Sequence, residues 1–345
     1  MKKKFYTLRQ LYSFVKNKFN KKIFDWAETG SEDNFTRNKN ITDLEKIMIL
    51  PKLLAKVKKI NIEKIFMGMK LQSPIIIAPM GHQTQFHEDG EIETCKASKN
   101  KRILNFFTTQ GRMSLSDIRK NNPKSILGWA IFPFGNKEWI RKQIEIAKEN
   151  KCKTICLCLD ANARSHRYDD LENQYDARKI GKRSNPLSPD INCALNYDWS
   201  LIKWLKKNSE LPIICKGVLT YSDYRLAVKN GADAVWISNH GGRMLNSGIS
   251  TTETLLEIKK NKGKKIKIIV DGGIRKGSDI IKYLCLGADL VAIGRPVIYG
   301  LMYDGSRGVE KVINILESEL KTSMANGGFK DLESFKFNRI RIDKN

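Results

Sequence analysis

Eight short apolar runs recur along the chain from Ser73 onwards, and each has the length of one buried β-strand. The runs are Ile75–Ala78, Ile103–Phe107, Ile126–Ile131, Thr154–Leu159, Pro212–Cys215, Ala234–Ile237, Ile266–Val270 and Leu290–Ile293. Most of the intervals between them have helical apolar spacing, as at Ile140, Ile144 and Ala147. Strands that alternate with helices predict a parallel sheet covered by helices on both faces.

Eight such units predict an α/β protein with a closed (β/α)₈ (TIM) barrel. An open, doubly wound sheet is the alternative. A glycine-rich dinucleotide turn after the first strand would favour it, and Ala78-Pro79-Met80-Gly81-His82 is not such a turn. We therefore predict a barrel over residues 73–345 that includes a C-terminal helix at Val309–Met324. Residues 1–72 are predicted to form an N-terminal helical and connecting segment packed on the barrel.

The N-terminal segment carries an amphipathic pattern over residues 5–24, with one apolar face. Its apolar residues are Leu8, Leu11, Tyr12, Val15 and Phe19. We expect this helix to dock on its own domain, and weak contact with a membrane surface is the alternative. The helical region is expected to end near Gly30, and residues 41–72 are interpreted as a connection with short strands and turns.

Residues 161–198 interrupt the alternation, because they are polar, charged and poor in apolar side chains. A long insertion inside a barrel is usually an active-site lid or a disordered segment. This one follows the fourth strand, so a lid would cover the carboxyl ends of the strands, where barrels carry their active sites.

The formal net charge is +25, yet the lysines are spread along the chain and many share helices with acidic residues. No nucleic-acid-binding signature is visible, so we predict no nucleic-acid partner. A positive field would still attract small anionic substrates. The seven cysteines form no C-x-x-C pair, which argues against a zinc site or a disulfide framework and favours a reducing cytoplasm.

The sixth run leads directly into Ser238-Asn239-His240-Gly241-Gly242-Arg243. A histidine can accept a proton near neutral pH, and an arginine can hold a carboxylate through two parallel hydrogen bonds. Glycines allow a flat ligand to approach the backbone closely. The hexapeptide alone is also compatible with a core histidine and a surface arginine beside a flexible turn.

The ends of other strands carry residues suited to bind phosphate, together with further charged side chains. Asp271-Gly272-Gly273-Ile274-Arg275 and Gly294-Arg295-Pro296 follow the last two strands, where barrels commonly bind phosphate. Lys216 ends the fifth strand, either as a cation beside a cofactor ring or in a salt bridge to Asp271 or Asp160. Asp160 ends the fourth strand, either as a partner that orients His240 or as a cap.

The chain resembles the FMN-dependent α-hydroxy-acid oxidising enzymes, such as glycolate oxidase, lactate oxidase and the flavin domain of flavocytochrome b₂. The resemblance extends from about residue 8 to 335. The segments that carry it are Asp25–Asp33, Leu211–Gly217, Ser238–Arg243, Asp271–Gly277 and Ile293–Pro296.

The resemblance implies FMN at the carboxyl ends of the strands. It implies that Gly81 and Thr109 contact the flavin ring and that Lys216 stabilises the reduced ring. The remaining implied cofactor-binding residues are Ser238, Asp271, Gly272, Gly273, Arg275, Gly294 and Arg295. It also implies that His240 is the base with Asp160 as its partner, and that Arg167 and Arg243 clamp the substrate carboxylate.

The implied reaction is oxidation of a lactate-like or larger 2-hydroxy acid to the 2-oxo acid. His240 would remove the hydroxyl proton while hydride moves from the α-carbon to flavin N5. Oxygen, a quinone or a protein carrier would then take the electrons. The resemblance also implies a homo-oligomer, typically a tetramer.

The chain departs from the family pattern around the substrate and the flavin. Trp26 and Phe132 stand where the family has tyrosines, Ala130 stands for a glutamine and Cys158 for a threonine. A pocket lined by Trp26 and Phe132 suits a larger or less polar 2-hydroxy acid. The alternative is an FMN-binding barrel protein with little or altered activity, kept as a regulatory or assembly partner. A flavin isomerase is a third hypothesis, and the His240–Arg243 pair argues against it.

Overall fold

Eight parallel strands close into a barrel in the computed structural model, which describes residues 4–180, 183–186, 188–261 and 266–343. In chain order the strands are β1 (Ile47–Ile49), β2 (Lys64–Phe66), β3 (Met69–Leu71), β4 (Ile75–Ile77), β5 (Asn105–Thr108), β6 (Leu127–Ile131), β7 (Thr154–Cys158), β8 (Ile213–Val218), β9 (Ala234–Ile237), β10 (Lys267–Val270), β11 (Leu290–Ile293) and β12 (Ile340–Ile342). Strands β4 to β11 form the barrel, and β11 pairs with β4 to close it. The predicted barrel is confirmed and the open sheet is rejected.

Helices surround this barrel and follow most of its strands. They are α1 (Leu8–Lys18), α2 (Lys21–Glu28), α3 (Phe35–Glu45), α4 (Gly90–Lys101), α5 (Leu115–Asn121), α6 (Lys137–Glu149), α7 (Tyr168–Glu172), α8 (Ser200–Asn208), α9 (Tyr221–Lys229), α10 (Thr251–Lys260), α11 (Gly277–Leu286) and α12 (Arg295–Gly327).

The strand alternation explains how the barrel is filled. Ile76, Phe106, Cys156, Ile214 and Trp236 belong to one buried cluster, contributed by five different strands. The residues beside them in each strand belong to the larger cluster that includes the helices. Since side chains of a strand point alternately to its two faces, one apolar run supplies both layers. A polar residue two positions beyond an inward side chain therefore lies at the barrel's mouth.

The N-terminal helical pattern splits into two helices, where the sequence predicts one. The Asn20 side chain accepts a hydrogen bond from the backbone N–H of Lys22 and caps α2, which separates it from α1. Leu8, Leu11 and Val15 are buried, and α1 lies against α12. The apolar face of α1 is thus covered by the chain itself. Among the described residues, no helix is long and apolar enough to cross a membrane.

The connection over residues 41–72 contains the predicted short strands, and it also begins with the end of α3. Strand β1 pairs with β12, and β2 and β3 form a hairpin around Met67 and Gly68. Both of these turn residues have positive φ, as a tight hairpin turn with the right twist requires. Helix α3 was not predicted, because its buried residues include Thr36 and Asn40 and it lacks an apolar stripe.

The C-terminal helix is longer than the predicted Val309–Met324. It begins at Arg295, directly after the eighth barrel strand, and departs from helical geometry at Asp304 and Gly305. The Glu93 carboxylate accepts a hydrogen bond of 2.7 Å from the Ser306 backbone N–H at this break. The first half of α12 therefore starts at the barrel's mouth.

Residues 161–198 cover the carboxyl ends of the strands as a folded lid, apart from residues 181, 182 and 187, which lie outside the described residues. Besides α7, the lid contains short 3₁₀ turns at Ala177–Lys179 and Ile191–Asn196. The Ser184 and Asn185 N–H groups donate to the Arg112 carbonyl at 2.9 and 3.0 Å. The lid is thus held down by backbone bonds.

Candidate active site

Two connected clefts open at the carboxyl ends of the strands. The inner cleft lies between the turns after β10 and β11 and has about 890 Å³ of empty space, including the part open to solvent. The outer cleft lies under the lid and has about 1760 Å³ by the same measure. Four residues that the sequence assigns to the site line both clefts, namely Trp26, Gly81, His240 and Arg243.

His240 is held at the junction of the two clefts by a carboxylate. Its Nδ1 lies 3.1 Å from Oδ1 of Asp160, which leaves Nε2 as the ring nitrogen for a ligand. The side chain of His240 is 20% exposed, whereas that of Asp160 is 10% exposed. A buried carboxylate that orients a histidine and stabilises its protonated form is the arrangement a general base needs.

A buried polar network supports this pair from below. Lys216 Nζ lies 4.0 Å from Asp160 Oδ2 and donates a hydrogen bond of 3.0 Å to Ser238 Oγ. Ser238 Oγ in turn donates to Asp271, and it accepts a 3.0 Å bond from the His240 backbone N–H. Trp236 Nε1 donates to the same Asp271 carboxylate at 3.0 Å. One cation thus lies among two carboxylates and the histidine.

The charges of this network offset the cost of burying it. Burial alone would raise the pKa of the Asp160 carboxyl, but Lys216 and His240 hold it well below its usual value. Burial would likewise lower the pKa of Lys216, but Asp160 and Asp271 raise it. Both groups are therefore charged near neutral pH. For Asp271, burial has the larger effect and raises the pKa of its carboxyl despite Lys216.

The local backbone explains how Lys216 and Asp160 come together. The pairing of β8 with β9 shifts register between Lys216 and Val218, which marks a bulge at Gly217. Gly217 has a φ of +100°, and a Cβ there would lie 2.6 Å from that of Asp160. Glycine is therefore required at this position, and its neighbour Lys216 can reach the Asp160 carboxylate.

The two predicted carboxylate-binding arginines meet at Trp26. Arg243 and Arg167 lie 5.1 and 5.5 Å from the centroid of the indole ring, and both donate to the Trp26 carbonyl, at 2.8 and 3.2 Å. Arg243 also donates to the Thr29 carbonyl at 3.0 Å. These carbonyls lie at the C-terminal end of α2, where the helix dipole favours cations. The N-terminal segment thus positions arginines of the barrel.

The inner cleft has the features of an anion site. Arg275 and Arg295 line it, together with Gly272, Gly273 and the start of α12. Helix N-termini and glycine turns present backbone N–H groups to phosphate. Burial, followed by the charges of Arg275 and Arg37, lowers the pKa of Arg295 to about 9. Burial and then Arg167 and Arg295 lower the pKa of Arg243 well below its usual value. An anion would relieve this mutual repulsion.

Gly273 offers a first testable prediction, because its φ of +75° and its contact with α3 both exclude a side chain. A Cβ there would collide with the backbone carbonyl of Asn40, whereas one on Gly231, with a φ of +90°, has Lys206 Cγ at 3.8 Å as its nearest neighbour. Gly231→Ala therefore reports backbone strain alone and should cost about 1–2 kcal/mol of unfolding free energy. Gly273→Ala should cost roughly 2 kcal/mol more, and equal losses in urea unfolding would contradict this account.

The aromatic residues form an apolar wall beside His240. The ring of Phe132 has its centroid 5.7 Å from that of His240 and 5.2 Å from that of Phe134. Trp26 contacts Phe86 and His82 at 5.7 and 5.6 Å. Burial, then the charges of nearby arginines, lowers the pKa of His82 to about 3, so this histidine is neutral near pH 7. Trp26 and Phe132 contribute no hydroxyl group to this wall, since neither residue is a tyrosine.

Two of the predicted cofactor contacts, Thr109 and Ser238, are buried beside the clefts and are not among the residues that line them. Thr109 Oγ1 accepts a 3.2 Å hydrogen bond from the Phe132 backbone N–H, and the neighbouring Thr108 lines the outer cleft. Ser238 is fully buried beneath the clefts and joins Lys216 to Asp271. It therefore belongs to the polar network beneath His240.

Several other residues of the site could not be identified from any pattern of residues in the sequence. Trp236 joins the network through a ring nitrogen that only the fold directs to Asp271. The Trp26 and Thr29 carbonyls are backbone groups, which no residue pattern identifies. Asp170 was missed as well, although it follows Arg167 by three residues on the helix that covers the outer cleft.

Together, the fold and the clefts define a barrel enzyme with a histidine–carboxylate pair beside an anion-binding cradle. The chain belongs to the FMN-dependent dehydrogenase family, whose model matches residues 15–342. The 2-hydroxyacid oxidase 2 of Bos taurus is 30% identical over 334 residues, which cover 94% of this chain and 95% of the relative. An L-lactate oxidase of Nostoc sp. is 31% identical over 340 residues, covering 92% and 93%. A mandelate oxidase crystal structure superposes with a TM-score of 0.91, at 25% identity, covering 98% of this chain and 99% of the other.

The cofactor of this family is FMN, and the inner cleft fits it. The Arg295 Nε atom is buried and has no hydrogen-bond partner among the described residues. Its N–H group is therefore available to donate a hydrogen bond to a bound anion. A Cβ on Gly241 would lie 2.9 Å from Arg295 Nη1, so a side chain at position 241 would press against this arginine. Arg275, Arg295 and the turns around Gly273 and Gly294 would hold the phosphate, and Gly81 and Lys216, which line the same cleft, would contact the ring.

Proposed function

We propose that this protein is an FMN-dependent oxidase or dehydrogenase that converts a 2-hydroxy acid to its 2-oxo acid. The observation that carries the proposal is the Nδ1–Oδ1 distance of 3.1 Å between His240 and Asp160, in a cleft that Arg243 also lines. A base and a carboxylate clamp at one point are what removal of a proton from a bound hydroxy acid requires. The alternative, an FMN-binding protein without turnover, has no comparable observation in its favour.

The residues of the proposed active site then have separate roles in the reaction. Arg243 and Arg167 hold the substrate carboxylate, since both guanidinium groups meet at Trp26. His240 accepts the proton of the substrate hydroxyl at Nε2, and Asp160 stabilises the imidazolium that forms. The lid excludes water from the outer cleft. When bound, FMN supplies the acceptor for the hydride that leaves the α-carbon.

The lining of the outer cleft supports a substrate with a large or weakly polar side chain. Phe132, Phe134, Ile191 and Met244 line it beside His240. A panel of 2-hydroxy acids, tested for anaerobic bleaching of the bound flavin, checks this. Bleaching by aromatic and long-chain acids, faster than by lactate, is the expected result. Fast bleaching by lactate alone would reject the substrate class, and no bleaching by any acid would reject the activity.

Phe132→Tyr should improve the use of small, polar substrates. The ring is close to His240, so a hydroxyl there reaches the region of the substrate's polar groups. One hydrogen bond to a charged group is worth about 1.5–3 kcal/mol, and we expect kcat/KM for lactate to rise about tenfold. Phe134→Tyr is the control, because it adds the same hydroxyl to the neighbouring ring. An equal rise in both variants would contradict a specific role of position 132.

The proposal also covers the compartment of the protein, its electron acceptor, its assembly and the joint action of its two segments. The seven cysteines are free, which supports a reducing compartment such as the cytoplasm. Oxygen, a quinone or a protein carrier reoxidises the flavin, and a tetramer is the expected assembly. Residues 1–72 act with the barrel at 73–345 as one functional unit, since the Trp26 and Thr29 carbonyls bind Arg243.

A further inference from the structure

Asp170 places a carboxylate inside the cleft that is proposed to receive the substrate's carboxylate. It lies on α7, lines the outer cleft and is 9% exposed. Its Oδ2 forms an ion pair with Nη2 of Arg167. Its Oδ1 is buried and has no hydrogen-bond partner among the described residues. The proposed mechanism does not use this group.

The charge of Arg167 is already balanced by Asp170 while this ion pair persists. Its Nη1 donates to the Trp26 carbonyl at 3.2 Å, and its Nη2 is held by Asp170. An arginine binds a carboxylate most strongly through two parallel N–H groups. A substrate carboxylate that takes two parallel N–H groups including those of Nη2 therefore competes with Asp170. The Trp26 carbonyl belongs to the end of a packed helix, whereas Asp170 is a side chain that can rotate away.

We propose that Asp170 occupies Arg167 in the free enzyme as an internal competitor, which the substrate's carboxylate displaces on binding. This inference rests on the proposed role of Arg167 in binding carboxylates. Displacement lowers the affinity for every carboxylate ligand, so only a ligand whose remaining groups bind the clefts well is retained. Asp170 is therefore a specificity-determining residue in the lid.

Displacement also couples ligand binding to pH. The charged or titratable groups around Asp170 are Arg167, Asp169, Tyr175, Asp176, Arg178 and Arg243. Burial raises the pKa of the Asp170 carboxyl, although Arg167 and Arg243 oppose this effect. A second carboxylate that takes Arg167 raises it further, so binding is accompanied by proton uptake. Affinity is then highest below the pKa of the free enzyme and falls as the pH rises above it.

The test uses the FMN-loaded full-length protein and oxalate, a dicarboxylate without a carbinol hydrogen. Oxalate binding is followed through the absorbance change of the bound flavin across the range from mildly acidic to neutral pH. Asp170→Asn should bind oxalate about fivefold more tightly near neutral pH, a factor that corresponds to about 1 kcal/mol. The decline of affinity with rising pH should be smaller than in the wild type, because Asp170→Asn removes the carboxyl group that takes up the proton.

Asp169→Asn is the matched control, because it removes the same charge from the same helix. Asp169 accepts a hydrogen bond from Asn34 rather than pairing with Arg167, so its removal should leave oxalate affinity within about twofold. Asp170→Ser provides a second variant if the asparagine protein does not fold. Unchanged or weaker oxalate binding in the folded Asp170 variants would overturn the proposal, as would an equal gain in the Asp169 variant.

Kinetics separate this inference from the proposed function. With any 2-hydroxy acid that bleaches the flavin, Asp170→Asn should lower KM and leave kcat unchanged, because the competitor acts before the chemical step. If no hydroxy acid bleaches the flavin but the oxalate results hold, the proposed activity fails and the inference about Asp170 stands. A fall in kcat with unchanged KM would show that Asp170 serves the reaction instead, which overturns the inference.

Discussion

Replacing His240 with asparagine should lower kcat/KM by about 10³-fold while the protein remains yellow with bound FMN. General base catalysis contributes roughly 10²–10⁴-fold to such reactions, and asparagine cannot accept the hydroxyl proton. The Asp160 carboxylate lies 3.1 Å from His240 Nδ1, so an asparagine amide can still donate to it and limit structural damage. Anaerobic stopped-flow bleaching of the flavin by the best 2-hydroxy acid of the panel measures the loss.

His87→Asn is the matched control, because His87 lies in a separate surface pocket beside α4 and the break in α12. This variant should keep wild-type kinetics. A His240→Asn protein that bleaches within threefold of the wild-type rate would show that His240 is not the base. The proposed chemistry would then have to be abandoned, even though the family and the cofactor would stand.

Replacing Lys216 with methionine should lower the unfolding free energy by about 3 kcal/mol and weaken FMN binding. Lys216 is 2% exposed and lies between Asp160 and Asp271. Removal of one partner from a buried ion pair typically costs 3–5 kcal/mol, because the remaining charge is left uncompensated. Urea unfolding of the FMN-free protein and titration with FMN give the two effects separately.

Lys206→Met provides the comparison at the surface. Lys206 forms a 2.6 Å salt bridge with Asp233, but the two side chains are 36% and 33% exposed. Such a pair is worth about 0–1 kcal/mol, so this variant should unfold almost as the wild type does. Combining Lys216→Met with Asp160→Asn should recover part of the lost stability, since the second change removes one orphaned charge. Purely additive losses would mean that the two groups are not coupled.

The barrel was predictable because its information is local and periodic. Each of the eight apolar runs is long enough for one strand, and alternation within a run supplies both the inner layer and the layer under the helices. The strand-end residues followed from the same pattern, which is why His240, Lys216 and Asp271 were assigned together. Whether Thr108 or Thr109 faces the cleft depends on the exact strand register, because a shift of one residue moves a side chain to the other face.

Other parts of the site lacked any such periodicity. Helix α3 has a weak apolar pattern, and it is stabilised by contacts with the barrel, such as those of Asn40 with Asn239 at 2.8 Å. The Trp26 carbonyl binds Arg243, more than two hundred residues away, through the backbone. Asp170 shares a helix with Arg167, yet nothing in the sequence shows that its carboxylate is buried in the cleft.

The barrel, the order of its strands and the chemical groups at each strand end were predictable from the chain alone, because these depend on residue type and on spacing along one strand or helix. The members of the charge network around Lys216 and the burial of each ion pair were not predictable in this way. Those outcomes depend on distances between distant segments and on burial, which sets the energy of every charge in the site. The same fold buries the local Arg167–Asp170 pair in the cleft where a substrate carboxylate is expected to bind.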